Sequence, residues 1–198
     1  MPRKTDKRER LVEAAKTLMH QKGYNQTTLA DIAEMAEVPL GNVYYYFKTK
    51  EAIAETVINN LHNELKARLA AFEQNDTPLE RLKAFIAYES TQAESYARFG
   101  ETNGTLCQEL AKVKTSDLLP SLSGSLLNEL IVWVELQYQT MGATDNARTL
   151  ALQLVANLQG NALLASTANN AELYVRLNNV LLSTVSAKVK ANAALETA

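Results

Sequence analysis

Between Leu40 and Lys50 the sequence concentrates side chains whose chemistry suits nucleic acid. Asn42 offers a carboxamide, and bidentate contact with adenine is the standard geometry for that group. Tyr44 and Tyr45 each carry a hydroxyl that can bond a phosphate and a ring that can lie against a thymine methyl. Gly41 keeps the start of this segment slim, so that backbone can approach phosphates or base edges. Three adjacent tyrosines cannot all be core, and Tyr46 either joins the exposed set or packs against the first helix. Catalytic chemistry is poorly provided for. The two histidines, His20 and His62, lie far apart with no ligand-spaced Cys or carboxylate cluster, and no nucleophile elbow or phosphate loop is present. An enzyme is therefore not expected, nor is a cofactor or a metal.

The elements that must position these residues are helices. From Asp6 to Lys22 the apolar residues Leu11, Ala15, Leu18 and Met19 recur at helical spacing, with Asp6 and Glu9 spaced as a capping box and Gly23 as a stop. Ahead of this periodic stretch and along its start, Arg3, Lys4, Lys7, Arg8 and Arg10 form either a solvated terminus or an arm that reaches DNA. Thr28 can cap a second, short helix that buries Leu29, Ile32, Ala33 and Ala36, with Asp31 three residues on. A tight connection, Ala36-Glu37-Val38, precedes Pro39, which suits a first helical turn. The third helix runs through Phe47, with Val43 and Phe47 pointing inward together. Two short helices joined by a tight turn, the second bearing polar and aromatic residues, make a helix-turn-helix pattern.

Beyond it, Thr49 can cap a helix in which Ile53, Val57, Leu61, Leu65 and Leu69 repeat every four residues. Thr77-Pro78-Leu79-Glu80 combines an N-cap, a first-turn proline and a capping-box glutamate, and starts a helix running to about Ala97. Helical patterns then cover roughly 104–114, 116–141, 144–167 and 171–190, which makes nine helices, and the Ala-rich tail after Lys190 is expected to fray. Residues 1–50 carry nine Lys or Arg against six Asp or Glu, whereas residues 51–198 carry eleven against sixteen, so only the first part is suited to face phosphate. A single cysteine, Cys107, excludes an intramolecular disulfide and fits a reducing cytoplasm, and no run of about 18 apolar residues suits a bilayer.

Gly23-Tyr24-Asn25-Gln26-Thr27-Thr28-Leu29-Ala30-Asp31-Ile32-Ala33, followed by Val38-Pro39-Leu40-Gly41-Asn42-Val43-Tyr44-Tyr45-Tyr46-Phe47-Lys48-Thr49-Lys50-Glu51, resembles the DNA-binding domain of the TetR family. The resemblance implies an all-α, nine-helix TetR-like fold. It places a three-helix helix-turn-helix DNA-binding domain in 1–50 and a helical ligand-binding and dimerisation domain in 51–198, with helix 51–73 connecting the two. It also implies a DNA-contact set of Thr27, Thr28, Leu40, Gly41, Asn42, Tyr44, Tyr45, Tyr46, Lys48 and Lys50. In that set Lys50 pairs with a backbone phosphate, and Thr27 and Thr28 anchor the second helix on the opposite strand. Three residues depart from family usage: Glu37 stands where the turn commonly has Gly, Pro39 replaces a Ser or Thr, and Leu40 replaces a Lys or other polar residue. One phosphate contact is thereby lost, and affinity leans on Lys48, Lys50 and the N-terminal basic residues.

For the remainder, the resemblance implies a homodimer, double-stranded operator DNA as partner, and release by a small apolar or aromatic effector. No membrane partner is implied. The 116–141 helix, with Leu126, Leu127, Leu130, Ile131, Trp133, Val134 and Tyr138, is apolar on more than one face, so it can pack a core and also line a cavity. Phe99, Cys107, Leu130, Trp133 and Val134 are the candidate ligand contacts. The stretch from Gly100 to Leu110 is similar to a family branch with Gly-Cys-Pro-x-Gly-x-Leu, but Glu101 replaces its cysteine, and Cys107 reads as a small buried hydrophobe rather than a redox sensor. Family members dimerise through their last two helices, which here carry Leu150, Leu154, Leu158, Ala162 and Ala165, and Leu173, Leu177, Val180, Leu181 and Val185. The candidate interface is Leu154, Leu158, Ala162, Leu177 and Leu181. Ligand binding is then expected to shift the population toward a dimer with the wrong spacing of recognition helices, with helix 51–73 transmitting the change.

Overall fold

The computed structural model describes residues 4–143 and 145–196, with side chains over 6–143 and 145–187. Arg3 lies outside the described residues, as does the side chain of Lys4. The described residues form helices and no strands: α1 Lys4–Lys22, α2 Leu29–Met35, α3 Leu40–Tyr46, α4 Lys50–Phe72, α5 Pro78–Thr91, α6 Ala93–Phe99, α7 Thr102–Leu110, α8 Leu118–Thr140, α9 Ala147–Ala168 and α10 Ala171–Glu196. Each of the nine expected helical segments is present. The segment expected over 78–97 is interrupted at Gln92, whose amide turns back to the carbonyls of Glu89 and Ser90, and this divides it into α5 and α6.

Local chemistry explains several of the helix starts. Thr28 caps α2 by accepting from the Asp31 amide, and the Asp31 carboxylate returns to the Thr28 amide, a reciprocal box. Thr49 accepts from the Ala52 amide at 3.2 Å and Thr77 from the Glu80 amide at 3.2 Å. The Glu80 carboxylate does not complete a box; it pairs with Lys83 at 2.8 Å. Asp6 lies inside the first turn of α1, which starts at Lys4, so the expected capping box with Glu9 is replaced by favourable placement near the helix dipole. At the other end α10 continues to Glu196, past the point where fraying was expected, in keeping with the high helix propensity of Ala.

The chain forms two compact units, one comprising Met1–Glu64 and Thr102–Leu127, the other Leu65–Glu101 and Asn128–Ala198. This differs from a division at residue 50, because 102–127 folds with the N-terminal helices. In the first unit α1 packs on α2 and α7, and α2 on α3. Leu11, Ala15, Met19, Ile32, Val43, Phe47, Ile53 and Val57 are all buried there. In the second, α10 packs on α5, α6 and α9. Trp133 stands about 6 Å from both Phe72 and Phe85, ring centre to ring centre. Its indole N–H donates to Glu73 Oε1 at 2.7 Å, and Arg81 pairs with the same carboxylate at 2.6 Å. No described helix is long and apolar enough to cross a membrane.

Candidate nucleic-acid interface

The connection between α2 and α3 is a Schellman turn: Val38 N–H bonds the Ala33 carbonyl at 2.9 Å and Glu37 N–H the Glu34 carbonyl at 3.0 Å. Such a turn needs a left-handed residue just past the helix, and Glu37 adopts it with φ 50°. An L side chain there is strained, which is why glycine is usual. Arg10 of α1 holds the Glu37 carboxylate at 3.1 Å, so this turn is tied to the first helix.

From that turn α3 emerges with Val43 and Phe47 buried, as their spacing implies. The opposite faces carry Leu40, Gly41, Asn42, Tyr44 and Tyr45, all exposed, Tyr44 to 47% and Tyr45 to 62%. Tyr46 is half-buried and meets the Tyr45 ring edge-on at 5.1 Å between centroids. A Cβ built on Gly41 would meet nothing within 4 Å, so no described part of this chain requires glycine there. Lys48 is exposed just beyond α3, and among the described residues its ammonium has no partner.

Three expected contacts are altered by internal bonding. Thr27 is fully buried, its hydroxyl donating to the Gly23 carbonyl at 2.8 Å and its amide to the Tyr24 carbonyl at 3.2 Å. Its anticipated phosphate contact is thus corrected to a latch inside the α1–α2 loop. Thr28 is exposed, but its O–H points to Asp31 Oδ2 at 2.7 Å. Lys22 first and the Thr28 hydroxyl second hold that carboxylate down at about 2, so it stays ionised and competes with phosphate for the hydroxyl. Lys50 is half-buried. Its ammonium donates to the Tyr24 carbonyl at 2.9 Å and the Asn25 carbonyl at 3.3 Å, and stands 4.3 Å from the Tyr24 ring centre. Burial, and behind it the charge of Glu51, push the Tyr24 phenol up to about 12, so this ring stays neutral.

Of the basic residues near the N-terminus, Lys4, Lys7, Arg8 and Arg10 lie in α1 rather than in a separate arm. Arg8 stacks over Phe47, 5.2 Å from the ring centre. Sequence reasoning missed Glu109 altogether. Its Oε2 accepts from the Asn25 amide at 3.1 Å, and a side chain on Gly23 (φ 86°) would run into the same carboxylate. Thr115 donates to Glu51 at 2.9 Å, and Thr102 meets His20 at 3.2 Å. Segment 102–115 therefore touches the α1–α2 loop, the end of α1 and the start of α4. No local pattern announces this, since the partners are up to 84 residues apart.

Among the candidate ligand contacts, Leu130, Trp133 and Val134 are buried on α8, Trp133 within the aromatic core described above. Phe99 is half-buried at the end of α6. Cys107 is buried in the first unit and its thiol donates to the Ser123 carbonyl at 3.2 Å. The candidate dimer residues need correction. Leu154, Leu158, Ala162 and Leu181 are buried inside the protomer and Leu177 is half-buried, so the stripe chosen from sequence faces the protomer's own core. Among the described residues, the large apolar side chains that α9 and α10 leave exposed are Leu152, Leu163, Leu164 and Val180, with Leu163 at 62% and Val180 at 61%.

Residues 11–57 match the family model described as bacterial regulatory proteins, tetR family. The chain is 35% identical over 75 residues to a probable HTH-type transcriptional regulator, ArpR, of Pseudomonas putida, a match covering 38% of this chain and 35% of that one. It is 26% identical over 179 residues to the HTH-type transcriptional regulator LmrA of Bacillus subtilis, covering 89% and 95%. A TetR-family transcriptional regulator from Agrobacterium tumefaciens has the same fold, with a TM-score of 0.81 at 20% identity over 91% of this chain and 97% of that one. The chain thus spans about a third of the length of the Pseudomonas relative and nearly all of the Bacillus one.

Proposed function

Because the chain belongs to the TetR family of bacterial regulatory proteins, we propose that it is a transcriptional repressor that binds a palindromic operator as a homodimer and is released by a small apolar or aromatic effector. The observation that carries the DNA reading is Gly41. A helical glycine costs roughly 0.5–1 kcal/mol relative to alanine, and no described residue occupies the space its missing side chain leaves. Close approach of an external backbone, flanked by Asn42, Tyr44, Tyr45 and Lys48, accounts for it. The third proton of Lys50, the one not spent on Tyr24 and Asn25, is available for a phosphate.

The dimer is proposed through the outward faces of α9 and α10, on Leu152, Leu163, Leu164 and Val180. Gly160 lies between the first two in α9 and, like Gly41, has open space where a Cβ would be. A second copy's helices packed there would bury the exposed leucines and use the close approach that glycine permits. Release is proposed to run through Glu109 and Lys50, which both grip the backbone at residues 24–25 and so bias the seat of α2 and α3. Reducing conditions of the cytoplasm suit the buried thiol of Cys107.

The test is a gel shift of the full chain on the inverted repeats upstream of its own and adjacent genes, with salt varied. Retention of one palindrome, weakening steeply with salt, supports the reading; no retention of any of them at low salt overturns it.

A further inference from the structure

The second unit buries polar groups that its packing leaves incompletely matched. Glu89 of α5 is buried, and the Tyr96 hydroxyl of α6 donates to its Oε2 at 3.2 Å. Glu101, also buried, accepts from Gln159 of α9 at 2.8 Å. The Tyr174 ring of α10 stands edge-on to Tyr96, 5.5 Å between centroids. Tyr174 is fully buried, and among the described residues its hydroxyl has no hydrogen-bond partner. Asn178, one turn on, influences that hydroxyl from nearby without a bond of acceptable geometry, and is itself engaged by Asn161 at 2.9 Å and Ser90 at 3.1 Å.

These groups share one electrostatic neighbourhood. Burial first and the Glu101 charge second push Glu89 up to about 8, and burial, with both glutamates behind it, pushes the Tyr174 and Tyr96 phenols up. The cation that offsets Glu89 is Arg68, acting through space while its guanidinium stacks over Tyr88 at 4.4 Å from the ring centre. A buried carboxyl beside a second one, and an orphaned hydroxyl in the same cluster, are costly when nothing is bound. An anionic guest would be repelled by Glu101 and would hold Glu89 in its protonated form, and a neutral hydrocarbon would leave every oxygen as it is. An ammonium group brings up to three N–H donors and a positive charge. Placed among these groups it would offer donors to the Glu89 carboxyl and the Tyr174 oxygen, and a charge that tyrosine rings attract.

We propose that the cluster of Glu89, Tyr96 and Tyr174 is the recognition point for the ammonium group of an aromatic or apolar amine. This rests on the reading that the protein answers to a small effector, and adds the charge that the effector carries.

The experiment uses the full chain with benzylammonium and naphthylmethylammonium chlorides, the corresponding alcohols and the corresponding carboxylates. Binding is read by thermal shift and calorimetry, and operator release by gel shift. The ammonium compounds are expected to raise the melting temperature by mass action and to titrate one site per protomer, with the alcohols and carboxylates inert. Glu89→Gln and Tyr174→Phe are each expected to weaken that binding at least tenfold, with folding verified by circular dichroism; if Glu89→Gln does not fold, Tyr174→Phe decides. Equal binding by the alcohols, undiminished binding by the folded variants, or no binding of either ammonium compound overturns the proposal. Release of operator by an alcohol or carboxylate but by neither ammonium would sink the charge assignment and leave the effector reading standing. Ammonium binding lost in both variants, with operator retention unchanged by every compound, would uphold the cluster and sink the effector reading.

Discussion

The recognition helix α3 and the pair α9–α10 are all two-faced helices, yet residue type identifies the working face in one case and not in the other. In α3 the buried residues are Val43 and Phe47, and the exposed ones include Asn42, Tyr44 and Tyr45, whose polar groups disfavour burial without partners. Chemistry and exposure point the same way. In α9 and α10 both faces are apolar: Leu154, Leu158, Ala162 and Leu181 turn inward, while Leu152, Leu163, Leu164 and Val180 turn outward. Hydrophobicity alone cannot say which stripe belongs to the protomer's core and which awaits a second surface.

The largest effect that would break this contrast is in α9. Leu158→Ala is expected to cost about 2–5 kcal/mol of protomer stability through a buried cavity, whereas Leu163→Ala should change protomer stability by less than about 0.5 kcal/mol and instead weaken self-association. Chemical denaturation and analytical ultracentrifugation would separate the two. Equal loss of stability from both substitutions would erase the distinction between the stripes.

A second contrast lies in what each region buries. Glu89, raised to about 8 from an ordinary value of 4.5, holds its proton in the folded chain at pH values where the unfolded chain has released it. The folded state then binds more protons, so stability falls as pH rises from about 4.5 to 8, by up to about 4 kcal/mol at the upper limit. Glu89→Gln should flatten that slope in thermal denaturation across the window. Asp31 has the opposite sign: lowered to about 2, it favours the folded form above the ordinary carboxylate range and loses that contribution only in strong acid.

Smaller effects sharpen the description of the α3 face. Gly41→Ala is expected to stabilise the protein by about 0.5–1 kcal/mol while reducing operator affinity about tenfold, opposite signs that a purely structural glycine would not produce. Glu37→Gly should relieve the left-handed strain at φ 50° and lose an exposed pairing with Arg10, for a net gain of about 0.5 kcal/mol. Denaturation curves beside operator titrations measure both.

Much of the first unit was legible in the sequence because its signals are local. Thr28 and Asp31 spell a capping box, Val43 and Phe47 mark one face, and Glu37 occupies a turn whose backbone asks for glycine. Thr27 misled because it and Thr28 are the same residue type one position apart, and only packing decides which hydroxyl points into the α1–α2 loop. Lys50 was legible only in part for a related reason: its charge suits phosphate, but the carbonyls of Tyr24 and Asn25 take two of its three protons. Glu109 was invisible, since a surface glutamate on a short helix has no distinguishing pattern until the Asn25 amide is folded against it.

The sequence by itself determined the helical segments, the threonine caps of α2, α4 and α5 and the face of α3 that meets solvent, because these depend on residues within one or two turns of each other. Tertiary structure alone decided which apolar stripe of α9 and α10 is core, that Glu109 grips the helix-turn-helix, and that Glu89, Tyr96 and Tyr174 meet in one buried cluster. Those outcomes depend on contacts between residues far apart in the chain, where side-chain type permits many partners and only packing selects one.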